Sequence, residues 1–335
     1  MNGIDGNQAT RSLKNRKIIW FKLFDEYLIW ILVLLTLLIT TIFLREFFRP
    51  QNILNILSNS AILGIMVIAE SLCLIIGKFD LSIESTLGLS VALAAILSVN
   101  YHMNAVLIWI IILICGALIG LINGIFIEKL KINAFIQTLA MLLIIRGLVV
   151  YMIGGKYITN LPHLVRILGA PIIWVFPISI ILMLVLYLVF IFLTENTRWG
   201  RYLYAVGSNP QAAFSSGIKI SRINIMVFII AGLISAFAGL VFVGRQDAAT
   251  WLMGQGMIFE ILAAAVIGGI SLSGGKGRLI SALGGVIFLG LIRSVLTWFN
   301  LSVYIIDASR GLFILFAITL DAVKTKFIIN REINF

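Results

Sequence analysis

Charge is what this sequence lacks. Only 12% of its 335 residues are Asp, Glu, Lys or Arg, against about 25% in a soluble domain. So few cannot give a chain of this length a hydrated surface. With 61% hydrophobic residues and a mean hydropathy of +1.11, a water-soluble protein is excluded. Histidine and cysteine are scarcer still. Cys73 and Cys115 both lie inside apolar runs, so no disulfide framework is implied and packing explains them. His102 and His163 are isolated and far apart, which argues against a metal site. No aspartate-rich pair or His-Asp constellation supplies the catalytic cluster a membrane enzyme would need.

What the sequence has instead is apolar length. A bilayer core about 30 Å thick takes about 20 apolar residues of helix. Full-length spans are predicted at 27–44, 53–76, 105–127, 133–153, 172–193, 223–243, 279–298 and 303–320. Two further runs, 85–99 and 258–270, would reach only about 20 Å as helices, leaving part of the depth to irregular backbone. The predicted fold is therefore an all-α polytopic membrane protein of about ten membrane segments, some short or discontinuous. The first run is too long for a signal peptide and is followed by Arg45, Glu46 and Arg49 rather than small residues, so it reads as a retained span. The expected organisation is a cytoplasmic segment 1–26, a membrane domain 27–322 and a cytoplasmic tail 323–335.

The net charge of +11 would suggest nucleic acid in a soluble protein. Here the bases fall in short connections between apolar runs. With the N-terminus inside and every segment counted as a crossing, Lys78, Lys129, Lys131, Arg198, Arg201, Lys219, Arg222, Lys276 and Arg278 lie on the cytoplasmic side. Only Arg45, Arg49, Lys156, Arg166 and Arg245 lie outside. That asymmetry obeys the positive-inside rule and puts both termini in the cytoplasm. A weak internal echo pairs Arg146-Gly147-Leu148 with Arg310-Gly311-Leu312 and Gly120 with Gly284, five segments apart. An odd offset inverts the halves, as in many transporters; so biased a composition also produces such matches by chance.

Most connections are a few residues long, but 194–221 is polar and carries helix punctuation. Ser208-Asn209-Pro210 supplies a cap and a first-turn proline, and Gly217 sits where a helix-ending glycine belongs. A helix of two turns cannot persist alone in water and must dock on something. Ala212 and Ala213 beside Phe214 form a knob with a flat flank, suited to a groove in another protein or to this chain's own bundle.

The segment from Gly200 through Asn209, Pro210, Ala212, Ala213 and Phe214 to Ile218 closely resembles the coupling loop of the ribose and simple-sugar permeases of ABC importers. Three further blocks agree in order and spacing: Asp80-Leu81-Ser82, the run from Ala134 to Arg146-Gly147, and Ala264 to Gly277. The resemblance covers roughly residues 50 to 322. It implies a permease subunit in the cell inner membrane, not an enzyme, paired with a second permease copy or paralogue. A cytoplasmic ABC ATPase would lie below and a periplasmic or lipid-anchored substrate-binding protein above. The chain has no Gly-x-x-x-x-Gly-Lys-Ser/Thr loop: Gly77-Lys78, Gly155-Lys156 and Gly275-Lys276 lack the upstream glycine and the following hydroxyl. It is thus expected to carry no cofactor, ATP and magnesium being bound by the partner ATPase. Asn209, Pro210, Ala212, Ala213, Phe214 and Gly217 are the expected ATPase-coupling residues.

Ionisable and capping groups at membrane depth give the expected translocation path: Asp80, Ser82, Glu84, Arg146, Glu260 and Arg293. Each charge there costs at least about 2.5 to 3.5 kcal/mol unless paired or wet. Asp80 suits the cap of a broken helix and also contact with substrate hydroxyls. Asp307 and Arg310 suit a local pair on one helix. Gly116, Gly120 and Gly124, and Gly284, Gly285 and Gly290, suit close helix packing. Where the family commonly reads Gly-Ile-Asp-Leu-Ser-Val-Gly-Ser, this chain reads Lys78-Phe79-Asp80-Leu81-Ser82-Ile83-Glu84-Ser85. The added charges, with Glu70 and Arg293, put ribose itself in doubt, unless Glu84 and Arg293 neutralise each other. The rival readings are a nucleoside or branched-chain amino-acid ABC permease, and an ion-coupled secondary transporter using Glu70, Glu84 and Glu260.

Overall fold

A computed structural model describes residues 28–302 apart from 43, 170, 174 and 175, together with positions 304–319 apart from 307, 310, 314, 317 and 318. The expected terminal segments 1–26 and 323–335, the Asp307–Arg310 pair and the Arg310 half of the echo lie outside the described residues.

The described chain is helical nearly throughout. Seven helices are long and apolar enough to cross a membrane: α2 (Pro50–Ile75), α3 with its extension (Ser82–Asn100), α4 (Ala105–Lys129), α5 (Ala134–Ile153), α7 (Ile178–Asn196), α10 (Ile220–Gln246) and α12 (Leu279–Trp298). Two apolar helices are shorter, α1 (Leu28–Ile42) and α11 (Met257–Ile267). Between them lie a one-turn α6 (His163–Arg166) and two polar helices, α8 (Arg198–Ser208) and α9 (Pro210–Ser215). Two small antiparallel pairs complete the elements: β1 (Ile158–Thr159) with β4 (Ala248–Ala249), and β2 (Pro171–Ile173) with β3 (Phe176–Pro177).

Two expected segments are corrected. The run 85–99 is not too short, because the helix begins at Ser82 and ends in a π-helical turn, Ile96–Asn100. Its polar first turn hid the start: Ser85 and Thr86 donate their hydroxyls back to the Ser82 carbonyl and Ser90 to that of Thr86, so these groups are satisfied without water. The span expected at 172–193 starts at Ile178, since 171–173 and 176–177 are the paired strands β2 and β3 and Pro177 ends β3 with no amide to donate. By contrast 257–267 is as short as expected, about 16 Å at 1.5 Å per residue.

Helix α2 is the centre of the bundle, its residues 60 to 75 buried without a break. Around it stand α3, α7, α10, α11 and α12, with α5 against α3 and α4 against α10. The outer helices face lipid. On α4, Val106, Ile110, Ile114, Leu118, Ile122 and Phe126 form an exposed stripe at four-residue spacing, a patch no aqueous surface would carry. The opposite face of α4 is the glycine stripe. A Cβ on Gly116 would strike the Gly232 carbonyl, on Gly120 the Phe228 carbonyl, and on Gly124 the Ile225 Cα at 2.9 Å. Lipid gives helices no hydrophobic reason to associate, so this backbone contact holds α4 on α10.

The alternation of helices divides the connections between two faces. One carries α8, α9 and the loops after α2, α4 and α11; the other carries 101–104, the excursion 154–177 and the return 247–256. On this second face β1 pairs with β4, and Arg166 is ion-paired with Asp247.

Replacing Gly120 by valine is expected to cost about 1–3 kcal/mol by overpacking and to lower the melting temperature of the purified protein. Gly147→Ala is the control, because nothing lies within 4 Å of the new methyl group. It should leave the melting temperature unchanged or slightly higher.

Candidate functional site

The predicted coupling segment is two helices rather than one. Thr197 caps α8, its hydroxyl accepting the Gly200 amide, and Leu203 and Val206 turn inward. Three elements then lock together. The Tyr204 hydroxyl donates to the Gly277 carbonyl at 2.8 Å, Ser208 Oγ donates to the Gly275 carbonyl, and the Gly275 amide donates to the Ile75 carbonyl at 2.8 Å. Burial, with the Glu195 carboxylate nearby, pushes the Tyr204 phenol up to about 12, so it stays a donor. Gly207 lets α8 lie directly on the end of α2, because a Cβ there would overlap the Ile75 carbonyl. Arg278 closes the platform with two parallel bonds to Glu195, at 2.9 and 3.0 Å.

Helix α9 projects from this platform. Asn209 caps it by accepting the Ala212 amide at 3.0 Å, Pro210 fills its first turn, and Gly217 follows it with φ +80°. Helix α9 docks in part on its own bundle: Ala213 is buried against its own chain, while Ala212 is exposed and Phe214 is 73% exposed.

Above the platform a buried polar chain crosses three helices. Asp80 Oδ1 accepts the Ser82 amide at 3.0 Å and the Ser82 hydroxyl at 2.6 Å. Asn123 Nδ2 donates to Ser82 Oγ at 2.8 Å, and Gln137 Nε2 donates to Asn123 Oδ1. Asp80 therefore holds the start of α3, as a cap should. Glu70, fully buried on α2, receives the Asp80 amide at 3.5 Å.

Glu84 is placed one turn further along α3. It is 2.7 Å from Arg146 of α5, and its other oxygen accepts the Ile258 amide at 3.1 Å, at the start of α11. Arg146 also donates to the Trp251 and Met253 carbonyls. One ion pair thus answers both the free amide of a half-length helix and the free carbonyls of the chain leading to it. Glu84 and Arg293 do not neutralise each other, because Glu84 is taken by Arg146 and the Ile258 amide. Arg293 instead reaches Glu260 at 3.5 Å, and these two line a cavity of about 320 Å³ between α2, α11 and α12.

Sequence reasoning missed two groups. Glu128, at the end of α4, collects Lys78 at 3.3 Å, Asn224 at 2.8 Å and Ser221 at 3.1 Å, tying the α2–α3 loop to the start of α10. Its signal was a buried acid in the last turn of an apolar span, opposite the unexpected Lys78. Asn52, Asn55 and Asn59 line the cavity. Their i, i+3, i+7 spacing on α2 was legible as one polar face. Among the described residues no cluster of His, Cys, Asp and Glu could hold a metal ion.

An all-helical bundle with a half-length helix at membrane depth, a cavity lined by an ion pair beside it and a helical platform at one face is built as a membrane transport subunit. Residues 52–320 match the family described as branched-chain amino acid transport system / permease component, and the chain belongs to it. It is 32% identical over 296 residues to the ribose import permease protein of Haemophilus influenzae, covering 87% of this chain and 91% of that one. To the ribose import permease protein of Bacillus subtilis it is 35% identical, covering 86% and 90%. To the autoinducer 2 import system permease protein of Yersinia pseudotuberculosis (strain YPIII) it is 34% identical, covering 87% and 82%. No solved structure matches the chain. The protein is a multi-pass membrane permease component rather than an enzyme.

Removing Arg146 leaves Glu84 buried without its cation, and Arg146→Ala should cost about 3–5 kcal/mol, seen as a lowered melting temperature in detergent. The double variant Glu84→Gln, Arg146→Met should recover part of that loss. An Arg146→Ala protein as stable as wild type would contradict the arrangement.

Proposed function

We propose that this chain is the membrane permease subunit of an ABC importer that carries a sugar or sugar-like small polar solute into the cytoplasm by alternating access. The observation that carries this reading is α9: a capped, six-residue helix on a locked platform, with Phe214 bare to its partner side. A helix so short serves no span. It fits a grip for a separate ATPase, which would bind ATP and magnesium and move α7 and α10 through Asn209, Pro210, Ala212, Ala213, Phe214 and Gly217. The bases on the α8 face, from Lys78 to Arg278, support a cytoplasmic placement for that face and for both termini. A substrate-binding protein would then meet the excursion 154–177 on the outer face, and a second permease copy or paralogue would complete the membrane unit. The sugar class rests on the ribose and autoinducer 2 relatives. Asp80, Ser82, Glu84 and Arg146 are proposed to hold the walls of the path, and Glu260 and Arg293 to line it. An ion-coupled transporter would have no use for an exposed α9.

Phe214→Asp should abolish co-purification of the ATPase and reduce ATP-driven uptake at least tenfold, at a cost of about 1.4 kcal/mol or more, while the permease itself elutes as a single folded species. Full uptake with the ATPase still attached would overturn the reading.

A further inference from the structure

Helix α11 is held at its start by Glu84, and its other end is held as well. The last turn of α11 continues past Gly268 to Ile270, whose amide donates to the Ala265 carbonyl at 3.0 Å. Ile270 is fully buried, and Gly277 lies directly on it: a Cβ on Gly277 would come within 2.6 Å of the Ile270 Cα. Between these two residues the chain makes a closed turn, with the Ser271 amide donating to the Lys276 carbonyl at 3.2 Å. Backbone therefore rests on backbone from Gly277 to the end of α11, with no long side chain between them to absorb a displacement.

The turn is gripped from two sides. On one side the Gly275 amide donates to the Ile75 carbonyl at the end of α2, the central helix of the bundle. On the other stands α8. Gly275 packs on the Ser208 backbone, where a Cβ would overlap, and the Ser208 hydroxyl reaches the Gly275 carbonyl at 3.3 Å on an exposed edge. Tyr204 makes a different contact. Its ring is half-buried and packs on the core, and its hydroxyl donates to the Gly277 carbonyl at 2.8 Å. Close packing resists approach far more than withdrawal, whereas a hydrogen bond sheltered from water resists both. The Arg278–Glu195 pair is more exposed, and it joins the start of α12 to the end of α7 rather than to α8.

We propose that Tyr204 is the positioning residue that ties α8 to α11, so that a displacement of the α8–α9 unit is delivered to the half-length helix through Gly277 and Ile270. This route needs no movement of α10. It enters α11 at the end opposite Glu84, so the short helix is held by a carboxylate at its start and driven by a phenol at its finish. The Tyr204 hydroxyl then serves coupling and not folding. Its ring alone satisfies the packing of α8, and phenylalanine keeps that ring while removing only the bond to Gly277.

This proposal rests on the ATPase reading of α9, and one experiment separates the two. The full-length permease with its ATPase is placed in nanodiscs, and hydrogen exchange is followed by mass spectrometry with magnesium ADP and with magnesium ATP plus vanadate. In the wild type, exchange in 209–217 and in 268–277 should both change between the two nucleotides. In Tyr204→Phe the change at 209–217 should persist, and the change at 268–277 should shrink about fivefold, the share that one hydrogen bond supplies. Tyr202→Phe, at the exposed tyrosine of the same helix, should behave as the wild type. Three results would overturn the link: an undiminished response at 268–277 in Tyr204→Phe, a wild type in which 209–217 responds and 268–277 does not, or a Tyr204→Phe chain that no longer folds with its ATPase. A wild type whose 209–217 segment ignores nucleotide would strike the ATPase reading itself and this link with it.

Discussion

A helix that begins inside a membrane exposes amide protons that no water can answer, and this fold answers one of them with Glu84. The carboxylate accepts the Ile258 amide at the start of α11, where a negative group also meets the positive end of the helix. A buried carboxylate needs a cation, and Arg146 supplies it. Arg146 in turn has N–H groups to spare, and they take the carbonyls of Trp251 and Met253 in the irregular return that leads to α11. Each group removes the cost of burying the next. Without this closed set, the half-length helix and its approach would carry unpaired backbone at a depth where each unpaired group costs several kcal/mol. The same α11 gives Met257, Glu260 and Ala263 to the wall of the neighbouring cavity.

The rest of the architecture connects that set to the α8 face. Helix α10 leaves the platform just after Gly217 and runs 27 residues to the return itself. Its backbone lies against α4 along the glycine stripe, and the two form one packed piece. Glu128 joins that piece to the α2–α3 loop through Lys78, and the same loop holds Asp80 and the start of α3, the helix that carries Glu84. On the proposed reading, a displacement imposed on α9 therefore has a continuous packed route to α11, through contacts that are either made or broken rather than stretched.

The sequence was most legible where a single period or a single residue decides the local structure. Apolar length located the long helices, the short α11 followed from its length alone, and Asn209, Pro210 and Gly217 marked α9 because caps are chemical signals confined to one or two positions. The glycine stripe on α4 was legible for the same reason. The start of α3 was not, because Ser82, Glu84 and Ser85 look like a loop until their hydroxyl and carboxylate partners are known. Partner choice was equally hidden. Glu84 and Arg293 both stood out as charges at depth, yet which cation meets which acid depends on how α5 and α11 cross α3, and no spacing encodes that. Glu128 escaped notice because its partners lie on the α2–α3 loop and on α10. The asparagines of α2 escaped because a polar face near a helix end resembles an ordinary interface.

The central claim is that the Glu84–Arg146 pair holds the return and the start of α11 in place. Hydrogen exchange of the segment 251–258, followed by mass spectrometry on the full chain in nanodiscs, tests it most directly. The account predicts slow exchange at Ile258 in the wild type, and acceleration confined to this segment and the first turn of α3 in Glu84→Gln. Rapid exchange in the wild type, or a Glu84→Gln protein with unchanged protection, would contradict it.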